Sequence, residues 1–328
     1  MLRMASATHQ TPRCPTKPIS AAPNLEDFNY FIEENSTLGM GCSELSVVRV
    51  HRISDPSKIY AAKIINKLTT TPSPEARALE MAQGHPNIIN LEQIIDTRDY
   101  QYIIMELATK GTVMDYLEKY GPVSESLAKK WIRQLTSALQ HCCERRIVHM
   151  DIKPANLFLD KDLNIKVGDF GLISISQDVH SRPLKEAKGS AVYAAPELYH
   201  VHRKEVMALP VLMWAVGVTL HAMLTVELPY AVSTYHLPIE QYTAPTCLSN
   251  TAQDFLTRLL ALQPEKRLQP SELREHPWLR EAVPLIRIHA PKERLIRSCS
   301  SLALQMYCHD SLQQDVHNVH AMAVPTGR

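Results

Sequence analysis

The chain is expected to adopt an α+β fold of two lobes, a small antiparallel sheet with one helix followed by a larger, mainly helical part. Three observations lead to that expectation. Between residues 31 and 65 apolar positions alternate in SVVRVHRI and KIYAAKII on either side of an SDPS turn, the pattern of a half-buried hairpin. After residue 112 the period lengthens to that of helices, as in SESLAKKWIRQLTSALQHCCERR with apolar positions at 127, 131, 132, 135, 138 and 139. A compact loop region, 147–197, then separates this helix from further helical segments at 206–226, 251–262 and 270–281.

Taken in order, residues 1–27 are rich in Pro, Ser and Thr and lack periodicity, which predicts a disordered tail. Their Arg3, Arg13 and Lys17 with no acid before residue 25 suit an organelle-targeting segment. Pro12, Pro15, Pro18 and Pro23 oppose the amphipathic helix that such a segment needs. Residues 28–107 form the sheet-rich lobe: the hairpin, a helix in PSPEARALEMAQ behind a Ser/Pro start, then strands in INLEQIID and YQYIIMEL. Residues 108–281 form the helical lobe, and 282–328 a flexible C-terminal tail. The stretch VMALPVLMWAVGVTLHAMLTV, 206–226, has no charged residue and is long enough to cross a bilayer. Pro210, His221 and its place among the motifs below make it the buried central helix of the larger lobe instead, so no membrane span is expected.

Composition excludes more than it identifies. A formal charge of +1 and 45% hydrophobic residues over 328 positions describe a globular protein, with no electrostatic pull towards nucleic acid. The seven cysteines show no CxxC spacing, which argues against a disulfide framework or a zinc site. A soluble protein of the cytoplasm or nucleus is expected, and its oligomeric state is left open.

The chemistry sits in a few places. Moving a terminal phosphoryl group needs positioned metal ions, cations on the phosphates and a carboxylate near the attacking hydroxyl. Gly39 and Gly41 in TLGMGCSELSV precede a strand, where backbone N–H groups can approach phosphate, although a plain β-turn needs the same residues. Lys63 lies inside an apolar strand, where an unpaired ammonium is costly, and Glu75 on the next helix can supply the counter-charge. Asp151, Lys153 and Asn156 in IVHMDIKPANLFL put a carboxylate, a cation and an amide on one loop, and Asp169 in KVGDFG adds an acid before a glycine.

The ordered set GMG, AAK, HMDIKPAN, DFG and AAPE resembles the eukaryotic protein kinase signature, over residues 28–281. Arg267 in PEKR stands where that family pairs an arginine with the Glu of APE, here Glu197. The resemblance implies a bilobal protein-kinase fold, ATP and Mg2+ as cofactors, and a protein substrate phosphorylated on Ser or Thr. It further implies that Lys63 holds the α- and β-phosphates and pairs with Glu75, that Asp151 orients the substrate hydroxyl and accepts its proton, and that Lys153 steadies the γ-phosphate. Asn156 and Asp169 would bind magnesium. Val48 and Ala61 would cover the adenine, Phe158 would floor it, Met105 would be the gatekeeper, and Glu106 to Ala108 the hinge.

Met150 after the loop histidine, Phe158, the spacing from Glu75 to His85 and ELP at 227–229 are similar to the Wee and Myt kinases, which implies a cell-cycle inhibitory role with tyrosine activity. GPVSE and KRLQPSELREHPWL instead resemble calcium/calmodulin-kinase-like enzymes, while Lys153 and GSAVYAAPE favour Ser/Thr acceptors. Thr112 and Ala155 replace the acids that read upstream arginines, so a basic substrate motif is not indicated. Met150 replaces an arginine that a phosphate on the activation segment would neutralise, and Glu186 stands near that phosphosite, so no such phosphate is required.

Two departures favour a pseudokinase scaffold as the alternative. The third loop glycine is replaced by Glu44 or Ser46, and Leu212 stands where an Asp accepts amide hydrogen bonds from the catalytic loop. An unpaired loop amide, at a cost of about 1–3 kcal/mol, is therefore expected. The stack of Leu79, Leu91, His149 and Phe170 would also lose its polar base.

Overall fold

The computed structural model describes residues 25–40, 46–67, 74–175, 183, 184, 186–200, 205–230 and 241–280. Five antiparallel strands, β1 Tyr30–Met40, β2 Ser46–Arg52, β3 Asp55–Asn66, β4 Leu91–Asp96 and β5 Tyr100–Glu106, form one sheet in the order β1-β2-β3-β5-β4. The expected hairpin is β2–β3, with Arg49 opposite Ala61 and His51 opposite Ile59. Alternation places Val48, Val50, Ala62 and Ile64 in a small core with Tyr30, Ile95, Tyr102 and Ile104, leaving Arg49 and His51 on the other face. Leu25, in a 3-10 turn over Leu25–Phe28, joins this core, so ordered packing begins just ahead of residue 28.

Helix α1, Glu75–Met81, turns Glu75, Ala76, Ala78 and Leu79 inward. The larger lobe holds α2 Val113–Tyr120, α3 Glu125–Glu144, α4 Ala208–Thr225, α5 Asn250–Leu259 and α6 Pro277–Arg280. Caps fix where these helices start. Thr112 and Asp115 form a reciprocal capping box on α2, and Ser124 and Ser249 cap α3 and α5. The single helix expected over 270–281 is split into a 3-10 turn, Leu273–Glu275, and α6, because Pro277 cannot continue a helix but suits its first position. Two pairs of three-residue strands cross the loop region: β6 Ile147–His149 with β9 Ile173–Ile175, and β7 Leu157–Leu159 with β8 Ile165–Val167.

Helix α4 explains the uncharged stretch. Every residue from Ala208 to Leu224 except Pro210 is buried, so an apolar face is needed all round. Gly217 allows close contact with the end of α5, since a Cβ there would lie 2.8 Å from Leu260 and 2.9 Å from Leu259. The expected central helix is thus the core of the lobe. Of the two expected tails, 1–27 and 282–328, residues 1–24 and all of 282–328 lie outside the described residues.

His221 on α4 is buried with Nδ1 2.8 Å from the Tyr242 hydroxyl, and burial pushes its pKa down to about 4. In the unfolded chain it titrates near about 6.5. Only the unfolded state gains a proton between those values, so stability is complete above about 6.5, falls as pH drops, and levels off below about 4. At about 1.4 kcal/mol per unit, the window is worth about 2–4 kcal/mol. Thermal unfolding from pH 7 to 4.5 should lower the Tm of the wild type more than that of His221→Gln.

Candidate active site

Lys63 sits near the end of β3, between Val47 on β2 and Ile103 on β5. Its stem crosses apolar surface while Nζ reaches the Glu75 carboxylate at 2.7 and 2.8 Å and Asp169 Oδ1 at 2.8 Å. The expected counter-charge is therefore present twice. Burial lowers the proton affinity of Lys63, but Asp169 and Glu75 outweigh it and raise its pKa above the ordinary lysine value. Burial pushes Glu75 up against the pull of Lys63. Burial also opposes ionisation of Asp169, yet Lys63 outweighs it and holds that carboxyl at about 2.

Asp169 lies where strand geometry gives way to the DFG turn. Its φ of 55° is left-handed, a strained conformation for a non-glycine residue that points to a functional constraint. Gly171 keeps the space beside it clear, because a Cβ there would lie 3.3 Å from Asp169 Oδ1 and 3.4 Å from Glu75 Oε2. The Asp169 side chain is 43% exposed although it stands at the lobe interface, so one side of its carboxylate faces outwards.

The second cluster grows from β6. His149 accepts the Asp151 amide on Nδ1 at 3.2 Å and donates from Nε2 to the Gly168 carbonyl at 3.1 Å, a neutral tautomer that burial favours. Asp151 Oδ2 meets Lys153 Nζ at 2.9 Å and Asn156 Nδ2 at 2.9 Å, and Oδ1 accepts the Ser190 amide at 2.9 Å. Burial opposes its charge, but Lys153 and these donors hold its pKa below the usual carboxylate range. Lys153 also donates to Ser190 Oγ at 2.7 Å. The clusters share one field: Asp169 raises the proton affinity of Asp151, and Lys153 lowers that of Asp169.

Ser190 is the residue that sequence reasoning did not single out. Its signal was the preceding Gly189, whose φ of +120° lets the activation segment touch the loop: a Cβ there would stand 2.5 Å from the Met150 carbonyl.

The nucleotide residues fall on neighbouring elements. Ala61 is buried on β3 opposite Met105 on β5, and Phe158 lies on β7, but Val48 pairs with Ala62 and packs in the small core on the other face of the sheet, so strand alternation gives the place expected of it to Val47, opposite Lys63. Gly168 makes room for Phe158, whose ring carbon would lie 2.7 Å from a Cβ. Glu106 ends β5, and Ala108 follows it; Glu106 Oε1 accepts Lys166 Nζ at 2.7 Å and the Asn90 amide at 2.6 Å. Gly39 pairs with Val47 near the end of the β1–β2 ladder, whereas Gly41 and Glu44 lie outside the described residues.

Leu212 is 2% exposed, beside Met150, Tyr193 and Ala215 around a small void. The amide of Met150 donates to the Leu172 carbonyl at 3.0 Å and that of Asp151 to His149 Nδ1 at 3.2 Å, so these two loop amides are paired without an aspartate at 212. His149 stacks edge-on against Phe170 at 5.2 Å without the missing aspartate. Arg267 holds both Glu197 oxygens, at 2.6 and 2.8 Å, and lies over the Trp214 ring at 4.8 Å.

The oxygen set suits magnesium. Asn156 spends its amide nitrogen on Asp151, which leaves Oδ1 as an acceptor, and the outward side of Asp169 offers a second hard oxygen. Two protein oxygens are what an ion that keeps phosphates and water needs.

Residues 32–279 match the family model of the protein kinase domain. The chain is 34% identical over 274 residues to "Probable serine/threonine-protein kinase MARK-A" of Dictyostelium discoideum, covering 80% of this chain and 25% of that protein. It is 32% identical over 269 residues to the serine/threonine-protein kinase SIK2 of Gallus gallus, covering 78% and 33%. It is 36% identical over 206 residues to the SNF1-related catalytic subunit KIN12 of Arabidopsis thaliana, covering 61% and 41%. The chain thus spans well under half the length of these relatives. Their names give no support to the Wee and Myt resemblance.

Lys63→Met removes the ammonium that Glu75 and Asp169 share. Removing one partner of a buried pair costs about 3–5 kcal/mol. Urea unfolding should show most of that loss, and adding Glu75→Gln to the same chain should restore part of it.

Proposed function

The chain belongs to the protein kinase family, and from that premise we propose that it is a catalytically active serine/threonine protein kinase dependent on ATP and Mg2+. The Lys63 ammonium, shared between Glu75 and Asp169 within 2.8 Å, carries this proposal, because it ties the phosphate-binding strand to both the helix and the metal-side acid. The proposed units are a nucleotide lobe, 28–107, and a substrate lobe, 108–281, with a tail on either side.

In this scheme Gly39, Gly41, Val47 in place of Val48, Ala61, Met105, Glu106, Ala108 and Phe158 surround the nucleotide, and Lys63 binds its α- and β-phosphates. Magnesium on Asn156 and Asp169 would neutralise phosphate charge. Asp151, ionised and fixed by Lys153, Asn156 and Ser190, accepts a hydrogen bond from the substrate hydroxyl and aims its lone pair at the γ-phosphorus. Its low proton affinity makes orientation its larger contribution, with proton acceptance late in the transfer. Lys153 lies close enough to Asp151 to balance charge on the transferred group.

Serine or threonine is favoured by the Lys153–Ser190 contact, which ties the activation segment to the catalytic loop. Tyrosine transfer of the Wee type and a cell-cycle role are the finer alternatives. The paired Met150 amide supports activity over the pseudokinase alternative. Met150 is buried and uncharged, which supports activity without activation-segment phosphate. The free, buried thiol of Cys142 suits a reducing compartment such as cytoplasm or nucleus.

On an array of Ser, Thr and Tyr peptides, the wild type should label Ser and Thr peptides, and Asp151→Asn should lower the rate at least about 100-fold. Equal signal from both chains would remove catalysis from the account, and a Tyr-only signal would restore the Wee reading. Phosphatase treatment of the purified protein should leave its turnover within about two-fold; loss of activity would contradict the role given to Met150.

A further inference from the structure

Lys166 joins two walls of the nucleotide site. On β8 it stands opposite Phe158 of β7, the residue assigned to the floor of the adenine site. Its ammonium reaches away from that hairpin to Glu106 Oε1 at 2.7 Å, and both side chains are partly shielded from water. Glu106 is the last residue of β5 and opens the hinge. An ion pair therefore spans the distance between floor and hinge.

The same carboxylate is held from a second side. Glu106 Oε1 accepts the Asn90 amide at 2.6 Å, while the Glu106 amide donates to the Asn90 carbonyl at 2.9 Å, a reciprocal clasp between two residues far apart in the chain. Asn90 ends the loop between α1 and β4, and that loop is bonded along β8. Asn87 Nδ2 donates to the Ile165 carbonyl at 2.8 Å, the Val167 amide to the Asn87 carbonyl at 2.8 Å, and the Ile89 amide to the Val167 carbonyl at 2.9 Å. Ile165 and Val167 flank Lys166, so these bonds secure the strand on either side of the ammonium. Gly168 lets Phe158 and Ile89 close on its end, since a Cβ there would lie 2.7 and 2.9 Å from them.

A hydrogen bond between charged groups is short and directional, which suits it to fixing a distance. Without Lys166, the Glu106 carboxylate keeps the Asn90 amide but loses its tie to the hairpin that carries Phe158. We infer that Lys166 is a positioning residue for the nucleotide: through Glu106 it sets the height of the hinge above Phe158, and with it the width of the slot for the adenine ring. This rests on the kinase reading of the site. The phosphate end is held by other contacts, those of Lys63 with Glu75 and Asp169, so adenine and phosphate binding are separable.

Calorimetric titration of the full chain with adenosine, and with ATP in the presence and absence of Mg2+, tests the inference. Lys166→Met should weaken adenosine and ATP by the same factor, at least about five-fold, and leave the gain that Mg2+ brings to ATP binding unchanged. Lys166→Gln should act in the same direction, and Lys166→Arg, which keeps the charge, should recover part of the loss. In turnover assays the KM for ATP of Lys166→Met should rise by that factor with kcat within about two-fold. On a Glu106→Gln background the same substitution should cost less than about two-fold more, because its partner is already altered. Unchanged adenosine affinity in Lys166→Met overturns the inference, and so does a Mg2+ gain that shrinks with adenosine affinity, which marks general loosening. Turnover that rises while adenosine affinity stays the same overturns it as well and makes the pair a restraint on lobe opening. A wild type that binds neither adenosine nor ATP overturns the kinase reading itself, a result distinct from indifference of the variants.

Discussion

A single ammonium, that of Lys63, holds the candidate site together. It reaches both Glu75 on α1 and Asp169 on the loop before β9, so the sheet, the helix and the larger lobe meet at its three hydrogen bonds. In a site of low polarity an unpaired member of this set would be expensive. Each charge therefore constrains the elements that carry the others. The left-handed backbone at Asp169 is tolerated because the ion pair and the glycine at 171 fix the turn around it.

The catalytic loop depends on a second, smaller set of constraints. Neutral His149 links the Asp151 amide to the Gly168 carbonyl, which sets the loop against the strand that leads into Asp169. From the other side, Gly189 brings Ser190 onto both Asp151 and Lys153. The activation segment is anchored further on by Glu197 and Arg267, the latter packed on Trp214 of the buried helix α4. An apolar central helix and a polar loop thus support each other through one arginine. This arrangement accommodates Leu212, since the neighbouring loop amide has a backbone partner in Leu172 and does not depend on a side-chain carboxylate.

Much of this was legible in the sequence, for physical reasons. A lysine in an apolar strand must have a counter-charge, and the spacing of HMDIKPAN leaves little choice about which side chains share a loop. Strand alternation gave β2 and β3, and the charge-free run gave α4 once its place in the chain was known. What was not legible depends on contacts distant in sequence. Ser190 acquires its role only when Gly189 meets Met150, 39 residues after Asp151 in the Ser190–Asp151 contact. The paired amide of Met150 depends on Leu172, and the short strands β6 to β9 are too brief to show alternation.

The account rests on one nucleotide touching Lys63, Asp169 and the Asp151 loop together. Calorimetric titration of ATP with and without Mg2+ into the wild type and Asp169→Asn measures this directly. Binding by the wild type should tighten with Mg2+, and that gain should vanish in Asp169→Asn while metal-free ATP still binds. Nucleotide affinity that ignores Mg2+ in the wild type, or a gain that survives unchanged in Asp169→Asn, would contradict the assignment of the site.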